Sequence, residues 1–123
     1  MRILVVDDEA VIGAVLRRIF KGGSHEVTVV QGGRAALAMI DGGAEFDVIF
    51  CDVVMPDLAG TEVYETLRAR HPRLLDRFVF ITGGALQESA RRVLASARTT
   101  VLHKPFDLGA VRDAVRRIVA AAR

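Results

Sequence analysis

Five stretches of this chain are apolar almost without interruption, and each is followed by a stretch in which apolar residues return every third or fourth position. The clearest uninterrupted blocks are Ile3-Leu4-Val5-Val6, Val48-Ile49-Phe50-Cys51 and Phe78-Val79-Phe80-Ile81, with Glu26–Val30 and Thr99–His103 as weaker members. A strand with one wet face alternates, whereas a strand covered on both faces is apolar throughout, so these blocks read as strands of a parallel sheet between helical layers.

The intervening stretches predict helices. Val11, Ile12, Val15, Leu16, Ile19 and Phe20 form the first apolar stripe, stopped by Gly22-Gly23. Leu37 and Ile40 anchor a small second helix between Gly32-Gly33 and Gly42-Gly43. Thr61 to His71 carries Val63, Tyr64 and Leu67 and ends at Pro72, which has no amide to continue a helix. Leu86, Ala90, Val93, Leu94 and Ala97 mark the fourth helix, and Leu108, Val111, Val115 and Ile118 the last. The glycine pairs are explained by turns and helix ends rather than by a repeat. Five strands alternating with five helices predict an α/β, doubly wound domain built on right-handed crossovers.

Polar residues break this pattern at one recurrent place, the far end of a strand: Asp7-Asp8 after the first, Asp52 after the third, Thr82 after the fourth and Lys104 after the fifth. In open α/β sheets that edge is where ligands bind. If the first and third strands are neighbours, three carboxylates converge there. At neutral pH such a cluster requires either raised pKa values, with a carboxyl protonated, or a bound cation. A few oxygen ligands with room for water and a phosphate suit Mg²⁺ better than a transition metal.

Composition narrows the setting. A chain of 123 residues with 51% hydrophobic content is expected to make one domain, residues 1–123, with an ample core. The 17 Lys and Arg are scattered among 15 Asp and Glu without a basic block, which argues for a mixed surface and against direct nucleic-acid binding. Cys51, alone and inside an apolar strand, excludes a disulfide framework and reads as a buried inert thiol in a reducing, cytoplasmic setting. The chain enters a strand at once and has no apolar run of membrane-spanning length, so neither a signal peptide nor a membrane segment is expected. His25, His71 and His103 lack metal-ligand spacing, and Glu9 and Asp57 read as capping, solvent-facing acids.

Taken together and in this order, Val6-Asp7-Asp8-Glu9, Asp52-Val53-Val54-Met55-Pro56, Ile81-Thr82-Gly83 and Lys104-Pro105-Phe106 give the chain, end to end, a resemblance to receiver domains of two-component response regulators. The resemblance implies a flavodoxin-like, five-stranded parallel sheet of order 2-1-3-4-5 flanked by five helices. It implies that Asp52 accepts a phosphoryl group from the phosphohistidine of a histidine kinase or histidine phosphotransfer protein. Mg²⁺, or Mn²⁺ in its place, would be held by Asp8, by Asp7, by Asp52 and by the backbone carbonyl of Val54. Thr82 would donate its hydroxyl to a phosphoryl oxygen, and Lys104 would bring a compact charge on a flexible stem. Gly83 would matter for its size, and Pro105 for a Lys-Pro bond that the family has in cis. Such a domain is no conventional enzyme; it promotes its own phosphorylation and dephosphorylation and relays the change to a downstream target that these residues do not specify.

One position departs from the family. Many receivers carry Tyr or Phe three residues before the lysine, where this chain has Val101. A short β-branched side chain cannot report phosphorylation by an inward-swinging ring, so the Gly83–Gln87 loop is expected to carry more of the change. Competing readings meet specific obstacles. A nucleotide-binding enzyme wants a glycine-rich loop after the first strand and finds Asp7-Asp8-Glu9. An aspartyl-phosphate phosphatase wants a second acid where Val54 stands. A phosphorylation-independent interaction module on the same fold remains the alternative, weakened because every site residue is present. After Val119–Arg123 no linker follows, which reads as a stand-alone regulator or the receiver portion of a hybrid histidine kinase.

Overall fold

The computed structural model describes residues 1–97 and 99–121. Its order is β1 (Arg2–Val6), α1 (Ala10–Phe20), β2 (Glu26–Val30), α2 (Gly33–Asp41), β3 (Val48–Asp52), α3 (Gly60–Arg70), a 3₁₀ segment (Pro72–Arg77), β4 (Phe78–Thr82), α4 (Glu88–Ser96), β5 (Thr100–His103) and α5 (Leu108–Ala121). The five strands form one parallel sheet ordered β2-β1-β3-β4-β5, as the resemblance implies. The last two positions of the Val119–Arg123 end lie outside the described residues.

The uninterrupted apolar blocks are the three central strands, and the period-two geometry of a strand splits each between two cores. Ile3, Val5, Val48, Phe50, Val79 and Ile81 face α1 and α5, where Leu16, Phe20, Val111, Ala114 and Ile118 close over them. Leu4, Val6, Ile49, Cys51, Phe78 and Phe80 face the other way, against Ile40 of α2 and Val63, Tyr64 and Leu67 of α3. Tyr64 meets Phe78 edge-on at 5.3 Å between ring centroids, and Phe78 meets Phe80 at 4.8 Å.

Several details depart from the sequence reading. On α1, Val11 and Val15 lie at the margin of the apolar stripe and are exposed, because only the arc of Gly13, Leu16 and Phe20 faces the sheet. On α2 the buried anchors are Ala36 and Ile40, with Leu37 only half-buried. α4 is shorter than its apolar spacing suggests: Leu86 precedes it, Ala97 follows it, and no residue within it is fully buried. Of the glycine pairs ending α1 and α2, one member each adopts positive φ, Gly22 at 93° and Gly43 at 100°, which supplies the left-handed turn.

Asp57 caps a helix, but from a distance. Its carboxylate accepts the amides of Gly33 (3.2 Å) and Arg34 (3.0 Å) at the start of α2. A Cβ on Gly32 would stand 2.7 Å from Asp57 Oδ2, so glycine makes room for this approach. The Arg34 amide is the main reason that the Asp57 carboxyl titrates below its ordinary range. A carboxyl with a lowered folded pKa contributes stability above its unfolded pKa and loses it as pH falls through the folded value. Asp57→Ala is therefore expected to cost about 1 kcal/mol near neutrality. The gap to the wild type should close below about pH 4 in urea titrations run at several pH values, and a gap independent of pH would mean the cap is not electrostatic.

Candidate functional site: an acidic pocket at the carboxyl edge of the sheet

Strand register brings the sequence-predicted residues together. Val6 pairs with Cys51, so Asp7, one residue on, lies beside Asp52. Asp52 pairs with Ile81 and Thr82 with His103, which places Thr82 and Lys104 on the other flank. Asp7, Asp8 and Asp52 each offer a carboxylate oxygen within 4.8 Å of the others, a group that can hold a metal ion. Asp7 is fully buried and Asp52 is 5% exposed, whereas Asp8 reaches solvent.

Lys104 crosses the mouth of this cluster. Its Nζ stands 3.4 Å from Asp7 Oδ2, 3.4 Å from Asp52 Oδ2 and 2.8 Å from Glu9 Oε1. Burial works to lower the Lys104 pKa, but the Glu9 carboxylate and the charges of Asp52 and Asp7 outweigh it and raise the group above its usual range. Asp7 moves the other way. Desolvation, with a smaller push from Asp52, lifts its carboxyl to about 6 against the Glu9 amide and Lys104, which favour the anion.

Among the described residues three buried side-chain oxygens lack a hydrogen-bond partner, and two of them, Asp7 Oδ2 and Thr82 Oγ1, belong to this group of strand-end residues. The Lys104–Asp7 approach at 3.4 Å has charge but not hydrogen-bond geometry. A buried polar atom left unpaired costs about 1–3 kcal/mol, so both oxygens gain from a partner. Asp7 Oδ2 suits a cation, and Thr82 Oγ1 suits an incoming oxygen. Asp52 keeps Oδ1 against the Val54 amide at 3.3 Å, which fixes the carboxylate's orientation. A hard divalent cation fits this set: oxygen donors, an orphaned buried carboxylate oxygen, and the exposed Asp8 opening the site to water.

Gly83, expected to matter for the room it leaves a phosphate, is in this structure packed against Lys104. A Cβ there would stand 3.0 Å from Lys104 Cδ and 3.1 Å from its Cβ, so the glycine lets the lysine stem lie across the strand end. The Lys104-Pro105 bond is cis, and the Lys104 amide donates to the Thr82 carbonyl at 2.7 Å. Val101 is half-buried against the α3-side core and pairs with Phe80. Buried Cys51 has its thiol pushed well up, by burial and then by the Asp52 charge. His103 is exposed beside Lys104, and His71 bonds Asp41 at 2.9 Å; neither belongs to the acid cluster.

Two contributors were missed in the sequence. Glu9 occupies the N-cap position of α1 without a side-chain cap and spends its carboxylate on Lys104 instead. Gly60 begins α3 directly against the backbone of Asp52: a Cβ there would collide with the Asp52 carbonyl, and its amide donates to Val53 O at 2.8 Å. A run of three acids, Asp7-Asp8-Glu9, hinted at the first, whereas nothing local marks the second.

A doubly wound sheet carrying two acids after β1, one acid at the end of β3, a hydroxyl at the end of β4 and a lysine after β5 fits a phosphoryl-accepting signalling domain rather than a nucleotide-binding one. The response regulator receiver domain model matches residues 3–116, and the chain belongs to that family. It is 32% identical over 117 residues to the sensor kinase CckA of Brucella abortus, covering 95% of this chain and 12% of that protein. To the transcriptional regulatory protein TcrA of Mycobacterium tuberculosis it is 34% identical over 108 residues, covering 88% of this chain and 42% of that one. The chain thus spans less than half the length of these curated relatives. Among solved structures, the receiver domain of a Pseudomonas aeruginosa sensor histidine kinase, with magnesium coordinated in its active-site cleft, superposes with a TM-score of 0.82 at 24% identity, covering 97% of each chain. The family includes receivers of both response regulators and hybrid sensor kinases, and its members act with histidine kinases or phosphotransfer proteins. Among the described residues no helix is long and apolar enough to cross a membrane.

Proposed function

We propose that residues 1–123 are one receiver domain in which Asp52 accepts a phosphoryl group from a phosphohistidine, with Asp7, Asp8, Asp52 and the Val54 carbonyl holding Mg²⁺. The observation that carries this reading is the pair of orphaned buried oxygens, Asp7 Oδ2 and Thr82 Oγ1, on either side of an Asp52 carboxylate that Lys104 already touches. Bound in the acid cluster, Mg²⁺, or Mn²⁺ in its stead, offsets negative charge on the carboxylates and on the transferring group.

The residues divide the work as follows. An Asp52 oxygen attacks phosphorus, an acyl-phosphate bond forms, the bond from phosphorus to the histidine nitrogen breaks, and its electron pair returns to the imidazole. Val54 N–H, held on Oδ1, leaves Oδ2 as the oxygen that turns toward Lys104 and the donor. Lys104 neutralises charge on a phosphoryl oxygen, and Thr82 Oγ1–H donates to another. Both contacts exist only after transfer, so they favour a conformation in which the β4–α4 loop has followed Thr82. Gly83-Gly84 lets that loop move, and Val101 provides no ring to move with it.

Phosphorylated histidine phosphotransfer protein mixed with this domain and Mg²⁺ is expected to lose its label to the chain. In the beryllium fluoride adduct, amide shifts should be largest within Gly83–Gln87. No transfer from any phosphohistidine donor, with no uptake from a small phosphodonor either, would favour the interaction-module reading. Shifts centred on Val101 and His103, with the loop unmoved, would overturn the proposed route of the signal.

A further inference from the structure

Beside the acid pocket, an open trough of about 840 Å³ runs between α3 and α4. Its floor is apolar: Val53 and Met55 from the β3–α3 connection, half-buried Leu86 from the β4–α4 loop, and half-buried Ala90 and Val93 from the inner face of α4. α4 buries none of its residues fully, so its apolar face is only partly used by this chain. Val54, at the pocket end, is 67% exposed, the most exposed of the large hydrophobic residues. The charged side chains that line the trough are both acids, Glu62 and Glu65, on a protein whose net charge is +2. Glu62 holds the Ala59 amide at 3.2 Å, and the Glu65–Arg68 pair at 3.6 Å is half exposed and so weak.

An apolar trough bounded by two helices, with acids on one wall, matches a helix that presents leucine-like anchors at three- and four-residue spacing with basic residues beside them. We propose that this trough docks such an amphipathic basic helix from a partner protein. The trough walls also begin at the phosphorylation site, since the β3–α3 connection starts after Asp52 and the β4–α4 loop after Thr82. A phosphoryl group that shifts the second wall changes the affinity of the trough, and by linkage an occupant changes the ease of phosphorylation by the same factor in free energy. Only this coupling rests on the reading of Asp52 as acceptor; the docking itself does not.

The test uses the unphosphorylated domain and two fluorescein-labelled helical peptides of about 15 residues, one of leucine and lysine, the other of leucine and glutamate. By fluorescence anisotropy the lysine peptide should bind at least about tenfold more tightly, a difference of roughly 1.4 kcal/mol. Ala90→Trp, which fills the trough, should weaken it about tenfold, and Glu65→Lys, an exposed change, should narrow or reverse the preference between peptides. Both variants should still take up phosphoryl from a small donor, which separates failed docking from a failed acceptor. Peptides that bind alike, fail to bind the domain, or ignore both substitutions overturn the docking proposal. So does uptake of Nile red alone, which would make the trough a small-molecule site, or self-association abolished by Ala90→Trp, which would assign it to a second copy of the chain. A lysine-peptide affinity unchanged between Mg²⁺ alone and Mg²⁺ with beryllium fluoride would refute the coupling.

Discussion

Incubated with Mg²⁺ and a small phosphodonor such as acetyl phosphate, the domain is expected to gain the mass of one phosphoryl group, and Asp52→Asn none. The carboxamide keeps the size of the side chain and can still meet Lys104, but its oxygen is no longer anionic and its nitrogen has no free pair with which to attack. Asp7 and Asp8 sit within 4.8 Å and are the obvious substitutes, yet their environments are unlike that of Asp52. Asp7 is buried with its carboxyl lifted to about 6, and Asp8 is exposed, while Lys104 pairs with Asp7, Glu9 and Asp52. Intact-mass spectra settle the matter: uptake that persists in Asp52→Asn, or that proceeds in full under excess chelator, removes Asp52 or the metal from the mechanism.

The second large effect concerns Mg²⁺ and heat. A cation that binds the folded acid cluster and not the unfolded chain stabilises by mass action, about 2.7 kcal/mol at a hundredfold excess over Kd. For a domain of this length that corresponds to a rise of roughly 10 °C in Tm. Asp8→Ala should remove nearly all of this response. Without Mg²⁺ the variant should melt no lower than the wild type, because one of three mutually repelling carboxylates is gone and the replaced side chain is exposed. Thermal scans across a Mg²⁺ series would show it, and a full response in Asp8→Ala would strike Asp8 from the ligands.

Much of this architecture was legible because burial on both faces writes itself into consecutive residues. Ile3–Val6, Val48–Cys51 and Phe78–Ile81 are central strands, and each polar residue that breaks an apolar block lies at the edge where chemistry happens. Helical stripes were less precise, since apolar spacing marks a wider arc than the one buried: Val11 and Val15 satisfy the period yet face outward. α4 shows the opposite limit, with an apolar face that no described residue buries fully. What stayed hidden was contact across sequence. Asp57 caps a helix 24 residues back, and Glu9 grips a lysine 95 residues on; neither separation leaves a periodic trace. Gly60 was invisible for a related reason, because a glycine needed for a close approach looks locally like any other glycine near a helix start.

That close approach makes the seat of Asp52 stiff on one side only. On the α3 side the Asp52 carbonyl abuts the first residue of the helix with no space for even a methyl group, and the Gly60 amide ties to Val53. On the β4 side the chain leaves Thr82 through Gly83 into Gly84, whose Cβ position meets nothing within 4 Å. Under the same push the more compliant wall moves further, and close-packed backbone is the less compliant of the two. A charge arriving on Asp52 therefore pushes against an anvil and a leaf spring at once. On the proposed reading the anvil holds the Asp52 carboxylate in place from one turnover to the next, and the leaf spring takes more of the travel.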